Sequence, residues 1–274
     1  MTLLDRAFVK AFDRRPHFSP LPQGVREDLV AVPAAPWSGR PRPDEDVRTT
    51  PPDEQPTRIP VDITWRWPAK SQSVLAATRD GFERLAEQLV EITRAKDLRS
   101  IGFVSPGRGH GRTTTLLALT QILVECQSAQ VLLVDADFGH PEIAMQLGAT
   151  PPTGLWEMAC GDARLDEAIV ELVPKRLGLL AECRAGHVGQ WHSGLYPAAL
   201  RALAECRQRC ELVLIDAGPL GPLSWSAEWN RDVVDAVVSI GSTRPDRPGV
   251  SDRELVSRLV SAGIEYLGQI ETFV

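Results

Sequence analysis

Several features are scarce or missing in this chain of 274 residues, and each bears on the class of protein it can be. No apolar run approaches the roughly 20 residues that span a bilayer, so no transmembrane helix is expected. Residues 1–16 carry charges through their apolar stretch, so we expect no signal peptide and a cytoplasmic location. Basic residues do not outnumber acidic ones, because the formal net charge is −6. A broad nucleic-acid-binding surface is therefore not expected.

Cysteine is also scarce, with five residues and no C-x-x-C pair. Cys206 and Cys210 stand four residues apart on a predicted helix, and Cys183 lies near His187 and His192. Neither group has the usual spacing of zinc ligands. We therefore expect unpaired thiols in a reducing compartment rather than a metal site.

Proline is unevenly distributed, because 12 of the 22 prolines lie within residues 1–70. This stretch is also rich in charges of both signs, as in PRPDEDVRTTPPDEQPTR. Such a composition cannot bury enough apolar area to offset the entropy lost on ordering. The sequence therefore predicts that residues 1–70 form a mostly disordered, proline-rich arm, and that residues 71–274 form one domain.

Two apolar segments interrupt the arm. Leu4, Phe8 and Phe12 lie on one face of a short predicted helix, and residues 61–67 alternate apolar with polar side chains as a strand does. Either segment could dock on a partner, the first as a helix in a groove and the second as an added strand. Alternatively, the segments fold back on the domain, which is the preferred interpretation for residues 61–67.

From residue 71 onward, strand-like and helix-like runs alternate. Most of the strand-like runs are continuously apolar, as expected of strands buried on both faces. This order predicts an α/β fold with a doubly wound, mainly parallel sheet. The predicted strands are 101–104, 131–136, 177–181, 211–217, 236–241 and 266–270, and the predicted helices are 73–95, 113–126, 165–171, 196–209 and 251–262.

A glycine-rich segment, SPGRGHGRTTT at 105–115, lies between a predicted strand and a predicted helix. That context is the one a phosphate-binding loop requires. Small residues let successive backbone N–H groups face one concavity, and the following helix N-terminus adds partial positive charge. Arg112 stands where such loops carry lysine, immediately before Thr113. The segment therefore predicts a phosphate ligand without establishing catalysis.

Three carboxylates follow buried strands, where open α/β sheets bind ligands. Asp135 and Asp137 end the strand VLLVDAD, and Asp216 ends the strand LVLID. Two carboxylates in an Asp-x-Asp segment face the same side, where they could bind magnesium or orient a nucleophile. Together with the loop, they predict one site at the carboxyl edge of the sheet.

Residues 71–274 resemble the cytoplasmic domain of the bacterial tyrosine kinases of capsule and exopolysaccharide synthesis, within the MinD and ParA superfamily of P-loop ATPases. VSPGRGHGRTT resembles the family's TSPGPGEGKST, and VLLVDADFGHPEIAMQLG resembles VLLIDADLRRPxxHxxFG. TGLWEMACGDARLDEAI, ELVLIDAGPL and GIEYLGQIETFV resemble three further family segments.

The resemblance implies ATP and magnesium as ligands, with each role carried over to the matching residue here. Gly107, Gly109 and Gly111 would shape the loop, and Thr113 would ligate magnesium through its hydroxyl. The residues so assigned to the nucleotide are Gly107, Gly109, His110, Gly111, Arg112, Thr113 and Thr114; those assigned to catalysis are Asp135, Asp137 and Arg112; and those assigned to the metal are Thr113, Asp137 and Asp216.

Several departures from the family pattern weaken the expectation of kinase activity. Arg112 replaces the lysine, and a planar guanidinium does not fit a site built for a compact ammonium. The family's tyrosine-rich tail is absent, since the chain holds only Tyr196 and Tyr266. Its ring-forming motif, E-x-x-R-x-x-R, is replaced at Asp80, Glu83 and Ala86. The expected protein is a nucleotide-binding relative with impaired phosphoryl transfer, a pseudoenzyme.

Three functions stay open on the sequence. The first is a kinase-like protein that binds ATP and regulates polysaccharide export through a membrane-bound co-polymerase or another protein partner at the inner face of the membrane. The second is an active ATPase of the MinD and ParA class that forms a nucleotide-bound homo-oligomer, although Gly107 occupies the position of that class's extra loop lysine. The third is a scaffold with no nucleotide at all.

Overall fold

Seven strands form one sheet in the computed structural model, which describes residues 63–182, 190–192, 194–220, 229–242, 257–259 and 261–272. The strand order is β3-β4-β2-β5-β1-β6-β7, and every neighbouring pair is parallel except β3 and β4. The strands are β1 (Ser100–Ser105), β2 (Val131–Asp135), β3 (Val170–Val173), β4 (Leu177–Leu180), β5 (Leu212–Pro219), β6 (Ala236–Ser242) and β7 (Glu265–Thr272).

The helices cover both faces of this sheet. The first face carries α1, α2 and α3, and the second carries α4, α5 and α6, each with its own cluster of buried apolar side chains. A mainly parallel sheet with helices on both faces is the predicted fold class. The helices are α1 (Ala69–Lys96), α2 (Arg112–Glu125), α3 (Ile143–Leu147), α4 (Leu155–Cys160), α5 (Leu165–Ala168) and α6 (Tyr196–Arg209).

Helix α2 is buried on nearly every side, because α1 covers the face that the sheet leaves exposed. This burial explains why its sequence, RTTTLLALTQILVE, is apolar without helical periodicity. By contrast, α1 is amphipathic: Phe82, Leu85 and Leu89 face the core, whereas Arg84 and Glu87 are exposed. No helix among the described residues is long and apolar enough to cross a membrane.

Three local predictions differ from the structure. Helix α1 begins at Ala69, four residues before the predicted start. The predicted helix 165–171 is wrong in its second half, because α5 ends at Ala168 and β3 follows. There, Val170 to Val173 pair with β4 as an antiparallel hairpin around Lys175, whose φ of 58° makes the turn. The short helices α3 and α4 were not predicted.

The segment before α1 folds back on the domain, as preferred, but it is not a strand. Residues 63–68 have no regular secondary structure. Trp65 packs against the first core cluster, and its indole N–H donates to the Leu172 carbonyl at 2.9 Å. The predictions for residues 1–62, and most of the predicted helix 251–262, lie outside the described residues.

Candidate functional site

Parallel strand order brings the predicted site residues to one edge of the sheet. Strand β5 lies between β1 and β2, so its Asp216 is aligned with Phe103 of β1 and with Asp135 of β2. The glycine loop follows β1, and Asp137 follows β2 two residues after Asp135. Residues more than 100 positions apart therefore meet at the carboxyl ends of three adjacent strands, where such sheets bind ligands.

The loop between β1 and α2 has the backbone of an anion-binding turn. Gly109 and Gly111 have φ values of 73° and 80°, which side-chain-bearing residues rarely adopt. Ser105 closes the turn from inside by donating its hydroxyl to the Gly107 carbonyl at 2.8 Å. Helix α2 begins directly after Gly111, so its first N–H groups, which have no acceptor within the helix, lie at the loop.

Arg112 does not extend freely into this loop but is held by three neighbours. Its guanidinium donates to Asp137 Oδ2 at 2.6 Å, to Ser105 Oγ at 2.9 Å and, through Nε, to Asp216 Oδ1. The side chain is only 8% exposed. Burial acts to lower the pKa of Arg112, but the charges of Asp216 and Asp137 outweigh it and raise that pKa. The guanidinium is therefore a fixed, buried cation between two carboxylates.

Thr113 and Gly218 complete this cluster. Thr113 donates its hydroxyl to the second carboxylate oxygen of Asp216 at 2.7 Å. Gly218 has a φ of 77°, and a Cβ on it would lie 3.0 Å from the Asp137 carboxyl carbon. The absence of a side chain at Gly218 lets the end of β5 approach Asp137. Burial raises the pKa of Asp137, and the opposing effect of Arg112 does not fully cancel it.

Asp135 lies beside the cluster but bonds to backbone instead. Its two oxygens accept N–H groups from Asp137 at 3.3 Å and Ile143 at 2.9 Å, which fixes the turn after β2. The carboxyl group is buried, and burial together with the charge of Asp216 raises its pKa well above the ordinary value. The two carboxylates of the predicted Asp-x-Asp pair therefore have different partners. Asp137 contacts Arg112, whereas Asp135 stabilises the turn after β2.

A cavity of about 170 Å³ opens over the loop. Three basic side chains line it, from Lys70, Arg108 and Arg112, together with the acidic side chains of Asp137 and Glu142. Asp216 is not among the residues that line it. The cavity is smaller than the roughly 300–1,000 Å³ of typical ligand pockets, so it suits phosphate groups rather than a whole nucleotide. The other lining residues are Ser105, Gly109, His110, Gly111, Thr113, Thr114, His140 and Gln146.

Lys70 is a site residue that sequence reasoning missed, and Ser105, which lies within the predicted loop, was given no role there. Lys70 belongs to the first turn of α1 and was assigned to the arm, 35 residues before the loop. No local pattern distinguishes it from any exposed lysine, since only the docking of α1 on α2 brings it to the cavity. At the other end of the sheet's carboxyl edge, the hydroxyl of Thr272 donates to the His110 carbonyl at 2.6 Å. It thereby ties β7 to the loop.

The cysteines contribute no metal centre in the described part of the chain. Cys206 and Cys210 are buried and not joined in a disulfide, whereas Cys126 and Cys160 are exposed. Among the described residues, no three His, Cys, Asp or Glu side chains converge in a way that would hold a metal ion. Cys183 and His187 lie outside the described residues.

No protein-family model matches this chain, and no curated protein matches it by sequence. Solved structures do match. The kinase domain of the Escherichia coli tyrosine kinase ETK has a TM-score of 0.61 and 16% identity, over 83% of this chain and 85% of that one. The BceF tyrosine kinase domain has a TM-score of 0.55 and 19% identity, over 81% of this chain and 93% of that one.

A third similar structure is the septum site-determining protein MinD of Pyrococcus horikoshii, complexed with Mg-ADP. Its TM-score is 0.50 at 22% identity, over 62% of this chain and 68% of that one. These structures show that the chain has the α/β fold shared by bacterial tyrosine kinase domains and MinD-type P-loop ATPases. That fold binds nucleotide and magnesium in the MinD complex.

Proposed function

We propose that this chain binds the phosphates of ATP in the cavity over the glycine loop, with little or no phosphoryl transfer. The observation that carries the proposal is the position of Arg112, which lines the cavity while its guanidinium is bonded to Asp137, Asp216 and Ser105. The left-handed glycines, the start of α2 and the basic side chains around them support the binding of an anion.

The same ion pairs explain why transfer is impaired. A cation that follows the terminal phosphate during transfer must leave its resting position. If Arg112 left, two buried carboxylates would lose their partner, which costs about 3–5 kcal/mol for a buried pair. Loss of a single charge-stabilising group at a reacting centre typically lowers the rate by about 10²–10³-fold. Arg112 therefore stabilises the folded site through its ion pairs, and it does not stabilise the transition state of phosphoryl transfer.

The biological role we propose follows the resemblance to the tyrosine kinases of polysaccharide synthesis. A protein that holds ATP without turning it over can act as a regulator, because the bound nucleotide favours one arrangement of the surfaces around the site. Its partner would be a membrane-bound co-polymerase or another protein of the export machinery. With Gly107 at the position of the extra loop lysine of the MinD and ParA class, an active positioning ATPase is the less favoured function.

The test is a titration of mant-ATP, a fluorescent ATP analogue, with magnesium present, together with an assay of phosphate release. Wild type should bind without releasing phosphate above background. Arg112→Lys, whose compact ammonium can reach the terminal phosphate, should release phosphate about 10²–10³-fold faster than wild type. Arg84→Lys, the same substitution on the exposed face of α1, is the matched control and should behave as wild type.

Two results would contradict the proposal. Turnover by wild type at the rate of Arg112→Lys would show that the arginine does not impair transfer. Failure of wild type to bind mant-ATP under any condition would favour a scaffold that has kept the fold without the ligand.

A further inference from the structure

The three residues that the resemblance assigns to magnesium are all present, but Arg112 already occupies the space among them. Asp137 and Asp216 each accept a hydrogen bond from its guanidinium, and Ser105 accepts a third. The remaining oxygen of Asp216 accepts the hydroxyl of Thr113. One organic cation thus links the carboxylates that a divalent cation would need.

This donor set does not fit Mg²⁺. Magnesium prefers anionic oxygens and near-octahedral geometry, and it usually takes one or two carboxylates together with the phosphates. Here both carboxylates are already paired with Arg112, and Thr113 donates its hydroxyl proton to Asp216. A second cation beside a buried guanidinium would also meet strong repulsion, because charges interact more strongly away from water. The residues are those of a metal site, but their arrangement is that of a metal-free ion pair.

The charge that magnesium normally supplies to the phosphates is available from the protein. Lys70 comes from α1, Arg108 from the loop and Arg112 from the start of α2, and all three line the same cavity. Of the acidic groups on its wall, Asp137 is paired with Arg112, and Glu142 accepts a hydrogen bond from Gln146 at 2.9 Å. Basic side chains thus line the cavity from three separate elements, which supports an anionic ligand.

We propose that this cavity binds the phosphates of a nucleotide without a divalent cation, and that the Arg112 guanidinium takes the place of the metal. The proposal rests on the proposed function, since it concerns how the same site holds its ligand. With such a site, the protein senses nucleotide at any concentration of free magnesium. Lys70 and Arg108 supply the phosphate contacts that a metal-bound nucleotide would not need.

The first experiment measures mant-ATP binding in magnesium and in EDTA. Wild type should bind with the same Kd, within about threefold, in both. In Arg112→Lys, the shorter cation cannot bridge both carboxylates, so binding should be about tenfold or more tighter with magnesium. Lys70→Gln should weaken wild-type binding several-fold in both buffers, whereas the matched change Lys175→Gln, in the exposed turn between β3 and β4, should leave it unchanged.

The outcomes separate this inference from the proposed function. Wild-type binding that requires magnesium would overturn the inference and leave the proposed function standing. Absence of binding in both buffers would overturn the proposed function, and the inference with it. Equal magnesium dependence of wild type and Arg112→Lys would show that Arg112 does not occupy the metal's place.

A second measurement needs neither nucleotide nor turnover. The thermal unfolding temperature of wild type should not change when MgCl₂ alone is added. Arg112→Gln leaves two carboxylates without their cation, so it should unfold at a lower temperature, and MgCl₂ should recover part of the loss. If Arg112→Gln does not fold, Arg112→Lys gives the same comparison. A wild type stabilised by MgCl₂ as much as the variant would contradict the inference.

Discussion

At the scale of single residues, the chain uses arginine to neutralise buried carboxylates at two separate places. Arg112 does so at the carboxyl edge of the sheet, and Arg207 does so near the amino edge, where it bonds both oxygens of Asp235. Asp235 also accepts N–H groups from Arg99 at 2.8 Å and Ser100 at 3.0 Å. The second cluster joins α6, which carries Arg207, to the start of β1 and to Asp235 immediately before β6.

Asp235 gives a pH-dependent prediction. Burial acts to raise its pKa, but Arg207 and the two backbone N–H groups together lower it below the ordinary value. A lowered pKa adds stability above the unfolded-state value near 4, and that stability is lost as the pH falls through the folded value. Asp235→Asn should therefore reduce the free energy of unfolding by about 2–3 kcal/mol at pH 7, less than for a fully buried pair because Arg207 is partly exposed.

Urea unfolding of wild type and Asp235→Asn between pH 7 and pH 3 measures this effect. The difference between the two proteins should shrink as the pH falls below about 4. The exposed neighbour Asp232 is the matched control, and Asp232→Asn should change the free energy of unfolding by no more than about 0.5 kcal/mol. A difference that stays constant across this pH range would rule out the ion pair as its source.

At the scale of elements, α1 and α2 show how one helix changes the chemistry around another. Because α1 covers it, α2 can be apolar on nearly every side and can place Arg112 and Thr113 at a rigid helix start. The same contact brings Lys70 to the cavity. Further along α1, Glu83 pairs with Arg79 at 2.8 Å, and Ala86 is buried.

The contact between α1 and the rest of the domain depends on Phe82, which is fully buried. Phe82→Ala should lower the free energy of unfolding by about 3–5 kcal/mol, because it removes a buried ring and leaves a cavity. Glu87→Ala, one turn further along on the exposed face, should stay within about 0.5 kcal/mol of wild type. Chemical denaturation of both variants provides the comparison. A small effect of Phe82→Ala would mean that α1 is held by other contacts.

At the scale of the whole molecule, the predicted division between residues 1–70 and 71–274 stays a prediction. The contacts of the described residues suggest an earlier boundary. Trp65 packs on the core and bonds Leu172, the Arg66 N–H donates to the Leu147 carbonyl at 2.9 Å, and Lys70 lines the cavity. Through these contacts, Trp65, Arg66 and Lys70 are part of the folded domain.

Two truncations test the boundary. A chain that starts at residue 63 should keep the thermal unfolding temperature of the full chain, because the described contacts are retained. A chain that starts at residue 71 loses Trp65 and the first two residues of α1, which should lower that temperature by roughly 10 °C. It should also weaken mant-ATP binding, since Lys70 is gone. Equal stability of the two truncations would support the boundary at residue 70.

The sequence by itself determined the fold class, and it predicted that the site lies at one edge of the sheet. Continuous apolar runs separated by helical ones specify a buried parallel sheet, and the glycine loop with Asp135, Asp137 and Asp216 specifies its carboxyl edge. The predicted boundaries of β1, β2 and α6 are confirmed within two residues, because apolar patterning and turn residues act locally. The roles assigned to the individual site residues stay predictions.

Only the tertiary structure decided where the charges go. The sequence shows an arginine directly after Gly111, but the folded chain alone places its guanidinium between Asp137 and Asp216 and turns Asp135 toward the backbone. It also brings Lys70 to the loop from a helix assigned to the arm. The physical reason is distance along the chain: ion pairs between residues 25 and 104 positions apart depend on strand order and helix docking, which no local pattern encodes.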